Sequence, residues 1–146
     1  MAIYRPPRPR WPLAIGAAAT GLVIGLLTGL AIGNEEPSAA EGVSVMRTEL
    51  AASAGSMEVA SIEYEESISG GSVTEQSEYE ATLVAINSSR MRFAKMEPLL
   101  ESFAPDLVTQ INDLYDEIAT SVRQKVDPEE LSPMFEELIS LLKGDF

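Results

Sequence analysis

The chain contains no cysteine and no histidine. Without a thiol there can be no disulfide, no thiolate metal site, no covalently attached haem and no lipoprotein linkage. Without imidazole, zinc and haem lose their usual ligand, and general acid–base catalysis loses its commonest group. The sequence also lacks a phosphate-binding loop, a nucleophile–base pair and metal-hydrolase spacing. An enzyme is not expected. Positive charge is scarce: 10 Lys and Arg stand against 23 Asp and Glu in 146 residues, for a net charge of −13.

The two signs are segregated. Arg5, Arg8 and Arg10 precede any acid, Pro12 to Gly33 carries no charge, and all 23 acidic residues follow with the other seven basic ones. The part from Asn34 onward therefore nets −16. Such a surface repels nucleic acid, whose phosphates need Lys and Arg. It suits cations or a basic partner instead.

The uncharged run PLAIGAAATGLVIGLLTGLAIG meets the requirement of about 20 apolar residues for a membrane-spanning helix. Residues 13–33 are read as that helix. By the positive-inside rule, residues 1–12, a basic proline-rich arm, lie in the cytoplasm, and the acidic part lies outside. Trp11 suits the interface. Ser38-Ala39-Ala40 resembles a signal cleavage site, but the apolar core of a cleaved signal is shorter than this run, which favours an anchor. Ala17, Gly21, Gly25, Gly29 and Gly33 recur every fourth residue. On a helix they share one face, along which another backbone can approach closely. The ladder predicts self-association or docking on another transmembrane protein. The plainer alternative is that glycine is simply common in membrane helices.

Residues 34–42 read as a linker, and residues 43–146 as an all-α domain, an up-down bundle of about four helices. Val43, Leu50, Met57 and Tyr64 form one column at seven-residue spacing, and Met46, Ser53, Ala60 and Ser67 the companion column. This first helix is expected to end near Ser69, with Gly70-Gly71 as its C-terminal cap. The second begins near Thr74 as cap, or with a Ser77-to-Glu80 capping box, buries Tyr79, Leu83, Ile86 and Phe93, and ends or kinks at Pro98. The third runs from Pro105 to Val126. The fourth starts at Asp127-Pro128 or Ser132-Pro133, each a cap followed by proline. No sheet is expected. Arg90, Arg92 and Lys95 are expected to pair with acidic faces of neighbouring helices. Methionines at seam positions read as core filler.

The stretch IEYEESISGGSVTEQSEYEATL, residues 62–83, carries Glu-Tyr-Glu on each side of the Gly-Gly pair. Folding one end onto the other would gather Glu63, Glu66, Glu75, Glu78 and Glu80. Hard cations take several oxygen ligands, so iron or another oxygen-liganded cation could be held there. The plainer alternative is a solvated face whose glutamates stabilise a helix N-terminus. Tyr64 and Tyr79 fall on the seam, as core tyrosines with their hydroxyls near the turn.

At Glu63-Tyr64, Ile68, Gly71, Val73 and Glu78-Tyr79-Glu80 the chain resembles the helical extracytoplasmic segment of bacterial high-affinity iron permeases of the oxidase-linked type. RFAKMEPLLESFAPDLVTQINDLYDEI is similar in kind, so the resemblance covers roughly residues 60–126. Glu63 stands where the family pattern has Asp, and the permease's own membrane helices with their Arg-Glu-x-x-Glu motif are absent. The resemblance implies a detached accessory domain beside a permease at the bacterial cytoplasmic membrane, receiving or presenting iron, with Glu63, Glu66, Glu78 and Glu80 as candidate ligands. A non-enzymatic structural subunit, docked through the glycine ladder, is the second expectation.

Overall fold

The computed structural model describes residues 39–144. The basic arm, the membrane helix and its ladder of Ala17, Gly21, Gly25, Gly29 and Gly33 lie outside the described residues. Among the described residues no helix is long and apolar enough to cross a membrane.

The order is α1 (Ala39–Ser67), β1 (Ile68–Ser69), β2 (Ser72–Val73), α2 (Gln76–Glu101), α3 (Pro105–Gln124) and α4 (Pro128–Lys143). Each helix packs on its neighbours in the chain, and α1 also packs on α4. With Ser102–Ala104 and Lys125–Asp127 as the short later connections, this ring is an up-down four-helix bundle.

The two columns of α1 are as the spacing predicts. Met46, Ser53, Ala60 and Ser67 are buried, as are Met57 and Tyr64, while Val43 and Leu50 are partly buried. Opposite them α3 buries Val108, Ile111, Leu114, Tyr115, Ile118 and Val122, and α4 buries Leu131, Phe135, Leu138 and Leu142. Each of these larger apolar side chains contributes about 1.5–3 kcal/mol by leaving water. At mid-bundle the core is polar. Ser53 Oγ lies 2.9 Å from Ser89 Oγ and 2.9 Å from the Tyr115 hydroxyl, which is 2.6 Å from Ser89 Oγ. Each serine also donates to the other's backbone carbonyl. Two small residues thus bring α1 close to α2 and receive the tyrosine of α3. Burial raises the Tyr115 pKa, against the lowering pull of the two serines and Arg90.

Several local expectations are corrected. Ala39–Gly42, read as linker, is helical. The Gly-Gly pair does not merely cap α1. It turns a two-stranded antiparallel ribbon, Ile68 opposite Val73, with Gly70 at φ +58° and Gly71 at φ +72°. Two successive positive φ angles are what a tight hairpin needs, and glycine supplies them without Cβ strain. Thr74 does not cap α2. Its amide and hydroxyl both donate to the carbonyl of Ser67, satisfying an orphan acceptor at the end of α1. The Ser77–Glu80 box does not form, because α2 has already begun at Gln76, and Glu80 accepts from Gln76 Nε2 at 2.9 Å instead. Pro98 does not end α2, which continues to Glu101 because Leu100 is buried in the core. α3 ends at Gln124, short of Val126, with Lys125 in the left-handed conformation at φ +58°. Of the two starts considered for α4, Asp127-Pro128 is used, with the Asp127 carboxylate accepting from the Glu129 amide at 3.0 Å, and Pro133 falls inside the helix. Arg90 pairs with Asp116 and Arg92 approaches Glu49, as the charge pattern predicts.

Candidate functional site at the acidic tip

The α1–α2 hairpin and the α3–α4 connection lie at the same end of the bundle, and two tyrosines join them. The Tyr64 hydroxyl donates to the carbonyl of Val126 at 2.6 Å, and that of Tyr79 to the carbonyl of Val122 at 3.2 Å. One carbonyl lies in the last turn of α3 and the other in the connection that follows it, where acceptors have few intrahelical partners. The tyrosines fix the tip, and Tyr64 also lines the cleft beside it. Tyr64 is 1% exposed, and its ring packs against Phe135 at a centroid distance of 6.4 Å. Its pKa is pushed up to about 12, first by burial, then by the nearby charges of Tyr79 and Asp127.

The two triplets contribute unequally. Glu63 and Glu78 are both half-buried and face each other from α1 and α2. Their carboxyls share a hydrogen bond, which raises the Glu78 pKa, with charge repulsion from Glu63 adding to it. Glu66, Glu75 and Glu80 are exposed. Glu75 lies just before α2, and the five carboxylates do not converge. Among the described residues no group of three or more acids is gathered closely enough to hold a metal ion. What the hairpin brings together is the pair.

The middle acid of the first stretch, Glu65, was not singled out from sequence. It lines a cleft of about 500 Å³ between the end of α1, the hairpin and the start of α4, together with Asp127 and Glu129. Asp127 is legible as a cap, but its position beside Glu65 follows only from α4 being the second neighbour of α1.

The fold and tip define a four-helix bundle with a braced acidic end. A family model for the iron permease-associated 4-helix bundle domain matches residues 40–146. The chain belongs to that family, and the resemblance carried by residues 60–126 extends over the whole bundle. Comparisons with curated proteins and with solved structures found no match.

Proposed function

We propose that this protein is a membrane-anchored, non-enzymatic accessory of an iron permease, whose acidic tip takes up iron outside the membrane and hands it to the transporter. Iron is cargo in this reading. What supports it most is the Glu63–Glu78 pair, two half-buried carboxyls that face each other across the hairpin closely enough to raise the Glu78 pKa. A cation between the two carboxylates would relieve their mutual repulsion. The donor set is all oxygen, which suits a hard ion. Two carboxylates supply fewer oxygens than such an ion takes, so water or permease side chains complete the shell. An incomplete shell favours transfer over storage. Glu66 and Glu80 would then act as part of the general acidic field rather than as ligands.

The test is calorimetric titration of the full chain in detergent with ferrous, ferric, cupric and calcium ions. Saturable iron binding that disappears in Glu63→Gln/Glu78→Gln supports the reading. If no ion binds, the pair is a feature of the bend, and the structural-subunit reading takes over. That second reading requires Gly25→Leu/Gly29→Leu to abolish co-purification with the permease.

A further inference from the structure

Helix α1 carries a second seam that the bundle does not use. Val45, Thr48, Ala52, Gly55, Val59 and Ile62 follow one another at alternating steps of three and four residues, the spacing of a coiled-coil core. Val45, Thr48, Val59 and Ile62 are exposed, and Ala52 and Gly55 are half-buried. Val45 is 52% exposed, Val59 48% and Ile62 57%. The hydroxyls on this face are already satisfied, Thr48 donating to the Ser44 carbonyl and the neighbouring Ser56 to that of Ala52. The donors on this face are thus paired within the helix.

Gly55 has no role inside the fold. A Cβ added there meets nothing within 4 Å, yet a glycine in mid-helix costs stability relative to alanine. Close approach by another backbone would explain it.

We propose that this face is the seam of a parallel homodimer, with the same face of a second copy as its occupant. Heptad spacing is self-complementary between parallel identical helices. Leu50 to Met57 carries no charge, whereas Glu49, Glu58, Glu63 and Glu65 flank the rest of the seam, so the contact centres on its uncharged middle and strengthens with salt. The seam is about 25 Å long and one helix wide, small beside the roughly 800 Å² per partner of a standard interface. The missing affinity comes from the chain that precedes α1. The inference rests on reading residues 13–33 as an anchor. Two anchored copies enter the bundle from the same side, which sets them parallel, and the tether raises their effective concentration. It does not rest on metal binding.

The chain has no native cysteine, so single cysteines report contacts without background. Val45→Cys, Ala52→Cys, Val59→Cys and Ile62→Cys would be made in the full chain, reconstituted in phospholipid vesicles and oxidised with copper phenanthroline. Glu117→Cys on α3 and Glu136→Cys on α4 are controls. Dimer bands at all four seam positions, about tenfold above the controls, are expected for tethered parallel helices. Bands confined to the middle of the seam would mean antiparallel contact and overturn the proposal. So would equal bands at the controls, or none at the seam. Adding Gly55→Leu to Ala52→Cys should abolish its band and leave the thermal midpoint unchanged or higher, because the new side chain points into open space. A persisting band would overturn the close approach. Carbonate extraction separates the two readings: a seam without bands in an extraction-resistant chain refutes the dimer alone, whereas an extractable chain refutes the anchor and the tethered dimer with it.

Discussion

The Tyr64 hydroxyl donates to the backbone carbonyl of Val126 across 2.6 Å, tying the end of α1 to the turn between α3 and α4. Tyr64→Phe keeps the ring against Phe135 and removes only this bond. The expected loss is about 1 kcal/mol, the net worth of one such bond with its acceptor partly exposed. The urea midpoint measures it, at unchanged slope. An unchanged midpoint would mean that water replaces the hydroxyl at no cost.

The same hydroxyl has a signature in alkali. Its folded pKa of about 12 lies above the ordinary tyrosine value of 10.0. A group with a raised folded pKa stabilises the fold fully below its unfolded pKa, and that contribution is lost as pH rises through the folded one. Stability should therefore fall between pH 10 and about 12 more steeply in the wild type than in Tyr64→Phe. Unfolding midpoints across that range, alongside tyrosinate absorbance, would check it. Identical alkaline limbs in the two proteins would place Tyr64 in ordinary solvent.

The acid limb belongs to the Glu63–Glu78 pair. Glu78 holds its proton above the ordinary glutamate value of 4.5, because Glu63 shares it and repels a second negative charge. The sign is the same as for Tyr64. The contribution is present below that value and disappears as pH climbs through the raised one. Carbon NMR titration of the Glu78 carboxyl should show a raised midpoint in the wild type and an ordinary one in Glu63→Gln. If Glu78 titrates normally in the wild type, the two carboxyls do not meet in solution, and the proposed cation pair fails with them.

The parts of this fold that were legible in the sequence are those set by one helix at a time. The double column of α1 is a one-dimensional period, and so its small members, Ser53 and Ala60, could be placed inside from spacing alone. The inward face of α3 was legible for the same reason. The role of Thr74 and the continuation of α2 past Pro98 depend on what lies across the chain: an orphan carbonyl at Ser67 in one case, burial of Leu100 in the other. Thr82 and Ser89, both fully buried, look like surface residues until Ser53 and Tyr115 stand opposite Ser89. The acidic tip divides in the same way. The sequence placed Glu63 and Glu78 at one turn, but which carboxylates face each other depends on helix rotation about the hairpin. The cleft beside Glu65 needs the neighbour relation of α1 and α4, which no local pattern contains.

Lys125 is the one non-glycine residue with positive φ among the described residues, at +58°. Its amide donates to the Val122 carbonyl and the Val126 amide to that of Ser121, both at 3.1 Å, closing the end of α3 in a Schellman arrangement. A side chain in this conformation costs about 1–2 kcal/mol, and glycine returns part of the gain through greater freedom in the unfolded chain. Lys125→Gly should stabilise by up to about 1 kcal/mol, read from the urea midpoint. A loss of stability would mean that the lysine side chain makes a contact worth more than the strain.

The buried Ser53–Ser89–Tyr115 triangle predicts strong non-additivity. Among the described residues no buried side-chain nitrogen or oxygen lacks a partner, and each hydroxyl here touches the other two. Ser53→Ala alone leaves Tyr115 bonded to Ser89, and Ser89→Ala leaves it bonded to Ser53. Each single change should cost about 1 kcal/mol. The double variant strands the Tyr115 hydroxyl in the core, which adds about 1–3 kcal/mol beyond the sum. Adding Tyr115→Phe removes the stranded group, so the triple variant should be more stable than the double. Urea unfolding of the full set measures the cycle. If the triple variant is no more stable than the double, water reaches the hydroxyl and the three side chains do not act as a closed network. If it recovers, the polar centre is a matched set: the two serines allow α1 and α2 to pack closely, and the tyrosine of α3 occupies the polar space they create.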